Sequence, residues 1–218
     1  MKSFMLPAAI VLCGAFLAAQ TPILRTSKAP SRTFTNPLGF SYSLPADWEV
    51  TSSETTLPQV KQQATQNAAS EEEKKGVECV QIGLSARHGS PPSIITELTL
   101  PFNCFGQQVS EGDLPGFANG AMEDIRRNFI ADPPVTGKYT LGTHHLWIQR
   151  VKGFPNGQPG SPFTVEIACT LVQKAAVCWM TMAADDGSLS VFEHGAVTLD
   201  GEPPVALVPS TAFQHQTP

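Results

Sequence analysis

The chain has 218 residues, a formal net charge of −5 and 41% hydrophobic residues, which suits a single domain with a full core. Fourteen Lys and Arg face 19 Asp and Glu with no basic cluster, which counts against a nucleic-acid partner. Nineteen prolines and 17 glycines call for many turns.

The N-terminus carries Lys2, then an apolar run from Phe4 to Ala18 interrupted by Pro7 and Gly14, then Ala19 and Gln20. The run is short for a membrane span and polar sequence follows at once, so residues 1–20 read as a secretory signal peptide, with an uncleaved anchor as the alternative. Leu12 stands before Cys13 where a lipoprotein cleavage site carries a small residue, which argues against a lipid anchor. The protein is therefore expected to be exported, periplasmic or extracellular, with no membrane span after cleavage. Residues 21–35, with Pro22 and Pro30, read as a flexible leader, 36–209 as a single domain and 210–218 as a disordered tail.

The domain opens with Phe40, Tyr42 and Leu44 alternating with Ser41 and Ser43, a strand pattern. Pro45 removes a ladder donor, Ala46-Asp47 turns, and Trp48 and Val50 restart the alternation as a second strand of the pair. From Glu54 to Lys75, Val60, Ala64 and Ala68 recur at helical spacing, the run Glu71-Glu72-Glu73-Lys74-Lys75 forms a solvated end, and Gly76 stops the helix. Strands follow around Cys79 and Cys104, folded back at Pro91-Pro92. Asp113 opens a second helix with Pro115 in its first turn and Phe117, Ala121, Met122, Ile125 and Phe129 on one face; Asp132-Pro133-Pro134 closes it.

Three strands are predicted next, at 139–154, 163–172 and 177–184, the first two joined by the turn Pro155 to Gly160. Asp185 or Ser188 can cap a third helix carrying Leu189, Phe192 and Ala196, and 203–208 is a last strand or an extended tail. There is no internal repeat. This order predicts the α+β class, an antiparallel β-sheet flanked by helices.

Cys13 leaves with the signal peptide. The remaining Cys79, Cys104, Cys169 and Cys178 suggest two disulfides in an exported chain, and four cysteines allow three connectivities. If each flanking strand pair is antiparallel, Cys79 lies nearly opposite Cys104 and Cys169 nearly opposite Cys178, so those pairings are expected; buried reduced thiols are the alternative. No CxxC occurs and no His pair has helical ligand spacing, which counts against zinc.

No G-x-S-x-G or H-E-x-x-H is present, and Gly112 to Gly116 lacks the Lys-Ser/Thr of a phosphate loop. Asp185-Asp186-Gly187 lacks the spaced ligands of a calcium loop and reads as a turn. His144 and His145 adjoin on a strand, so they point to opposite faces. His88 sits in a turn, His194 follows Glu193 on the third helix, and His215 lies in the tail. Trp48, Trp147 and Trp179, flanked by alternating apolar residues, read as core. No catalytic, cofactor-binding or metal-binding set emerges and an enzyme is not expected. The alternative is a metal-binding protein or metal-dependent hydrolase using His144 or His194, which requires three His, Asp or Glu side chains to converge.

The element order and the segment Phe40-Ser41-Tyr42-Ser43-Leu44-Pro45-Ala46-Asp47-Trp48 resemble the PsbP-like superfamily, the α/β sandwich of the PsbP and DcrB type. The resemblance runs from about Asn36 to Val208, and includes a closing helix of the form Ser188-Leu189-Ser190-Val191-Phe192-Glu193. It implies an α/β/α sandwich whose members bind or assemble, with no shared catalytic motif to carry over. The functional expectation is thus a non-enzymatic binding or assembly module with an envelope protein partner, a small ligand being the other occupant. The polar helix from Glu54 to Lys75 and the loop from Phe105 to Pro115 are the expected contact surfaces.

Overall fold

Stretches rich in Val, Ile, Thr and Trp, separated by turns too tight for a crossover, dictate antiparallel strands. The computed structural model describes residues 32–35, 38, 41–44, 47–51, 57–58, 61–62, 65–66, 70–105, 108–141, 143–156, 160–185, 189, 197–198 and 208–209. The strands are β1 (Arg32–Thr35), β2 (Ser41–Leu44), β3 (Glu49–Thr51), β4 (Gln81–Gly89), β5 (Pro92–Pro101) and β6 (Phe129–Ala131). They continue as β7 (Val135–Leu141), β8 (His144–Pro155), β9 (Phe163–Val172), β10 (Ala175–Ala183), β11 (Val197–Thr198) and β12 (Val208–Pro209). Among the described residues the helices with both ends assigned are α1 (Glu71–Cys79) and α2 (Leu114–Asn128), and Leu57, Pro58, Lys61, Gln62, Thr65 and Gln66 are helical as well.

One large sheet runs in the order β12-β7-β8-β9-β10-β5-β4-β3, with β6 set beside the far end of β8. A small sheet has the order β1-β2-β11, and every described pairing in both sheets is antiparallel. This is an α+β fold with an antiparallel sheet. The β9–β10 hairpin lies at the centre, and every residue of β10 is buried. Its turn holds Gln173 at φ 52°, a left-handed conformation that a non-glycine residue adopts reluctantly. The Gln173 side chain donates from Nε2 to the Leu38 carbonyl oxygen at 2.5 Å, which ties the turn to the N-terminal segment.

The two faces have different coverings. On one, Val165, Ile167, Cys169, Cys178, Met180, Leu98 and Leu100 pack with Phe117, Ala118, Ala121, Met122 and Ile125 of α2. On the other, Trp179, Val177, Ala168, Ile148, Leu146, Ile95 and Leu84 pack with Trp48. The α2 entrance is fixed by a capping box: Ser110 donates from its backbone N–H and its hydroxyl to Asp113 Oδ2, at 2.8 and 2.9 Å.

Several boundaries differ from the sequence reading. Arg32–Thr35, assigned to the flexible leader, is a strand paired with β2, as its alternating Thr-Phe-Thr composition favours. The segments around Tyr42 and Trp48 are not one hairpin: β2 joins the small sheet, while β3 joins the large one through β4, with Glu49 opposite Arg87 and ion-paired to it at 2.7 Å. Gly76 does not stop a helix; it lies inside α1, where burial of Val77 outweighs its low propensity. Cys79 consequently ends a helix, and Cys104 sits in a 3-10 turn rather than on a facing strand. Helix α2 ends at Asn128, before the prolines, because Phe129 turns into β6. The long strand from 139 is two, β7 and β8, folded back near Thr143. The expected signal peptide, residues 210–218 and most of the expected third helix lie outside the described residues; Leu189 is described and buried.

Gly153 of β8 stands opposite Ala131 of β6. A Cβ there would lie 2.7 Å from Ala131 Cα and would also meet the Ile130 carbonyl oxygen, so β6 can lie flat on β8 only over a glycine. Gly153→Ala is expected to lower stability by about 1–3 kcal/mol. Gly76→Ala, with open space around its new methyl, should raise it by about 0.5–1 kcal/mol. Urea midpoints of the two variants test this contrast; equal shifts would contradict it.

Candidate functional site

Alternation along β6 has a consequence at the sheet margin. Phe129 and Ala131 turn toward the α2 face, where Phe129 is buried. Ile130 therefore points to the opposite face, directly across from Phe154 of β8. Val135 opens β7 and pairs with Arg150, which shares a face with Lys152 and Phe154. Ile130 is 68% exposed, Val135 72% and Phe154 38%; these are the exposed large hydrophobics among the described residues, and all three occupy one face of one end of the sheet. Between them lies Lys152, exposed, with its carbonyl oxygen accepting from the Asp132 backbone N–H at 2.9 Å. An apolar group that folding leaves in water at a sheet margin is a contact surface in waiting.

Behind this patch the same face holds buried charge. Arg150 donates from Nε to Glu166 Oε2 at 2.9 Å and from Nη2 to the same oxygen; the carboxylate side chain is 1% exposed and the guanidinium side chain 36%. Thr181 stands opposite Glu166 on the next strand. Further in, Glu97 is wholly buried opposite Trp179, and Thr99 Oγ1 donates to Glu97 Oε1 at 2.5 Å. The ion pair anchors β8 to β9 under the patch, so Arg150 presents a fixed cation at its border.

The histidines are scattered. His144 and His145 do point apart: His144 Nδ1 lies 3.0 Å from the Leu171 carbonyl oxygen, and His145 Nδ1 lies 2.9 Å from Glu111 Oε2. His88 stacks on Trp48 with ring centroids 5.7 Å apart, its Nε2 3.1 Å from Asp47 Oδ2 and its Nδ1 3.0 Å from the Pro91 carbonyl oxygen. His194 and His215 lie outside the described residues. Among the described residues no three His, Cys, Asp or Glu side chains gather as a metal site. Asp185 is exposed, and the rest of its turn is not described. Trp48 and Trp179 share one core cluster, while Trp147 borders the other with Lys138 Nζ 5.8 Å from its ring centre; they line no common pocket.

The two expected contact surfaces are polar. In α1, Glu71 pairs with Lys74 at 2.5 Å, and hydrogen bonding to that lysine holds the Glu71 carboxyl below its usual range. Lys61 donates to the Glu78 carbonyl oxygen at 2.5 Å, and burial pushes its ammonium down despite the Glu78 charge. In the 105–115 segment Phe105 packs on Phe117 with centroids 5.2 Å apart. Neither segment exposes a large hydrophobic among its described residues.

Cys79 is bonded to Cys104, and Cys169 to Cys178, the two expected pairings. Cys169 and Cys178 are direct partners in the β9–β10 register, 4.1 Å apart at Cα, and both are buried. Cys79 and Cys104 are half-buried.

Sequence reasoning passed over Ile130, Phe154, Arg150, Glu166 and Glu97. The signals were present: a carboxylate inside Ile-Thr-Glu-Leu-Thr or Thr-Val-Glu-Ile-Ala is costly in a buried strand unless partnered. The patch was hidden because Ile130 looked like the tail of a helix rather than the outer residue of a strand.

No protein-family model matches the sequence, and no curated protein does. Among solved structures the chain is similar to the solution structure of cyanobacterial PsbP (CyanoP) from Synechocystis sp. PCC 6803, at 8% identity and a TM-score of 0.46, over 84% of this chain and 98% of that one. Among the described residues no helix is long and apolar enough to cross a membrane.

Two outcomes test the site. Arg150→Met leaves the Glu166 carboxylate buried without its guanidinium, and is expected to cost roughly 2–3 kcal/mol, reduced from a fully buried pair by the exposure of the arginine. The double variant Arg150→Met/Glu166→Leu should recover most of it in urea unfolding. Mild reduction followed by alkylation should label Cys79 and Cys104 well before Cys169 and Cys178, as mass spectrometry would read; the reverse order would contradict the burial assigned to them.

Proposed function

We propose that this protein is an exported, non-enzymatic binding or assembly module of the PsbP-like α/β/α sandwich type, and that it contacts its partner through the β6–β8 end of the sheet. The observation that carries the reading is the convergence of Ile130, Val135 and Phe154 on one face, in a chain whose other described large hydrophobics are covered. A fold that buries both faces of its central strands so completely gains nothing in stability from leaving an isoleucine and a phenylalanine side by side in water; a partner that covers them does. The two disulfides suit a chain that matures in an oxidising compartment, periplasmic or extracellular.

The partner favoured is an envelope protein rather than a small ligand, because the patch is a sheet margin, and protein surfaces meet such margins by apolar contact with strand edges. The polar segment from Glu54 to Lys75 and the loop from Phe105 to Pro115 are the second choice. They offer charge at the rim of a contact but no apolar anchor for its centre.

Capture from the native envelope with the purified, oxidised protein tests the reading. A stoichiometric partner is expected, with retention falling at least tenfold for Phe154→Ser and staying unchanged for Lys174→Ser on the opposite hairpin turn. Equal retention by both variants would remove the patch from the contact. Loss with substitutions in α1 instead would transfer the function there.

A further inference from the structure

We infer that the Cys79–Cys104 bond is a redox latch on α1: a dithiol reductant opens this bond alone, and α1 loosens while the rest of the domain stays folded. The latch is independent of the contact at the β6–β8 end.

Strand register separates what the bond holds from what it does not. The β4–β5 ladder starts at Gln81 opposite Thr99 and runs to Gly89 opposite Pro92. Those pairings already close the chain between Cys79 and Cys104, so the bond is not needed to keep the two strands in register. What it constrains lies beyond the ladder: the end of α1 on one side and the 3-10 turn Phe102–Cys104 on the other.

The two sides are not equally secured. Phe102 of the turn donates its backbone N–H to the Lys174 carbonyl oxygen at 2.9 Å, and Phe105, which follows Cys104, packs on Phe117 of α2. Helix α1 has less to hold it. Among its described side chains Val77 alone is buried, while Glu71, Lys75 and Glu78 are exposed. Lys61 donates to the Glu78 carbonyl oxygen at the surface. Nine residues with a glycine among them make a marginal helix in water, because nucleation fixes several residues for one hydrogen bond and glycine disfavours propagation. Once the bond is open, one valine and one surface hydrogen bond stand against the conformational freedom that the segment regains, so α1 is the element that yields first.

Access selects which bond opens. Cys79 and Cys104 are half-buried. Cys169 and Cys178 are buried inside the sheet, between Trp147 of β8 and Leu98 of β5. Exchange requires a thiolate to reach a sulfur, so the half-buried bond reacts first. One thiolate of the dithiol reductant attacks a sulfur of Cys79–Cys104, which forms a mixed disulfide and releases the other cysteine as a thiolate. The reductant's second thiolate then attacks its own sulfur in the mixed disulfide, frees the remaining cysteine and leaves as a disulfide. Two electrons pass to the protein, and the two thiol protons of the reductant end on Cys79 and Cys104. In the opened form Val77, out of water in the oxidised protein, becomes exposed.

Graded dithiothreitol on the purified, oxidised protein tests the latch, with alkylation, mass spectrometry and amide hydrogen exchange read together. A species opened only at Cys79 and Cys104 is expected. In it the amides from Lys75 to Cys79 should exchange roughly tenfold faster or more, while those of β9 and β10 keep their rates. Oxidised dithiothreitol should restore the first pattern. The double variant Cys79→Ser/Cys104→Ser should exchange fast over the same residues with no reductant present, and its circular dichroism should keep the sheet signal. An opened species whose α1 exchanges as slowly as before would overturn the latch, as would loss of protection that spreads through β9 and β10. Opening of Cys169–Cys178 first, failure of reoxidation to restore α1, or a double variant that does not fold would each overturn it too.

Discussion

The β9–β10 hairpin is buried on both faces, and the rest of the molecule answers to that constraint. Every residue of β10 is out of water, so one side needs a helix and the other needs the layer to which Trp48 belongs. Burial on both faces also forbids unpartnered charge along these strands. Glu166 meets it by an arginine from β8, and Glu97 by hydrogen bonding that includes Thr99. The Cys169–Cys178 bond fastens the same two strands from the α2 face, while Cys79–Cys104 ties α1 to the turn that follows β5.

The constraint weakens toward the sheet margin, and there the surface acquires its character. β8 has twelve residues, more than β7 can pair, and β6 covers the remainder because Gly153 lets two backbones approach. The cost of using three residues that follow directly from α2 is that the middle one, Ile130, must face away from the helix. A short edge strand normally protects against unwanted pairing by carrying charge or proline. Here the charge is Asp132 and the prolines are Pro133 and Pro134, just past the exposed isoleucine, so pairing is limited to a short stretch rather than abolished.

Much of this was legible in the residues. The limits of β9, Phe163 to Val172, the apolar face of α2 at Phe117, Ala121, Met122 and Ile125, and the Cys169–Cys178 pairing across facing strands are all legible in the sequence, while Cys79 and Cys104 pair as expected but from a helix end and a 3-10 turn rather than from facing strands. The antiparallel α+β class followed from the element order. Other features were hidden for identifiable reasons. Gly76 reads as a helix end because propensity is local, while the buried Val77 that holds α1 together is a tertiary fact. The Tyr42 and Trp48 strands are neighbours in sequence, and nothing in their composition says that they enter different sheets. Ile130 falls within the stretch that the sequence assigns to the second helix, and only the change to strand at Phe129 turns it outward. The resemblance to the PsbP-like superfamily gave an architecture to expect and no residue to test; the candidate site came from exposure and register.

The central claim is that the β6–β8 end of the sheet is where this protein meets another chain. Site-resolved amide hydrogen exchange measures that most directly, on the oxidised protein alone when dilute, when concentrated, and with native envelope extract. The account predicts added protection confined to residues 129–135 and 150–155. Protection gained instead over α1 and residues 108–115, with residues 129–135 unchanged in every condition, would contradict it.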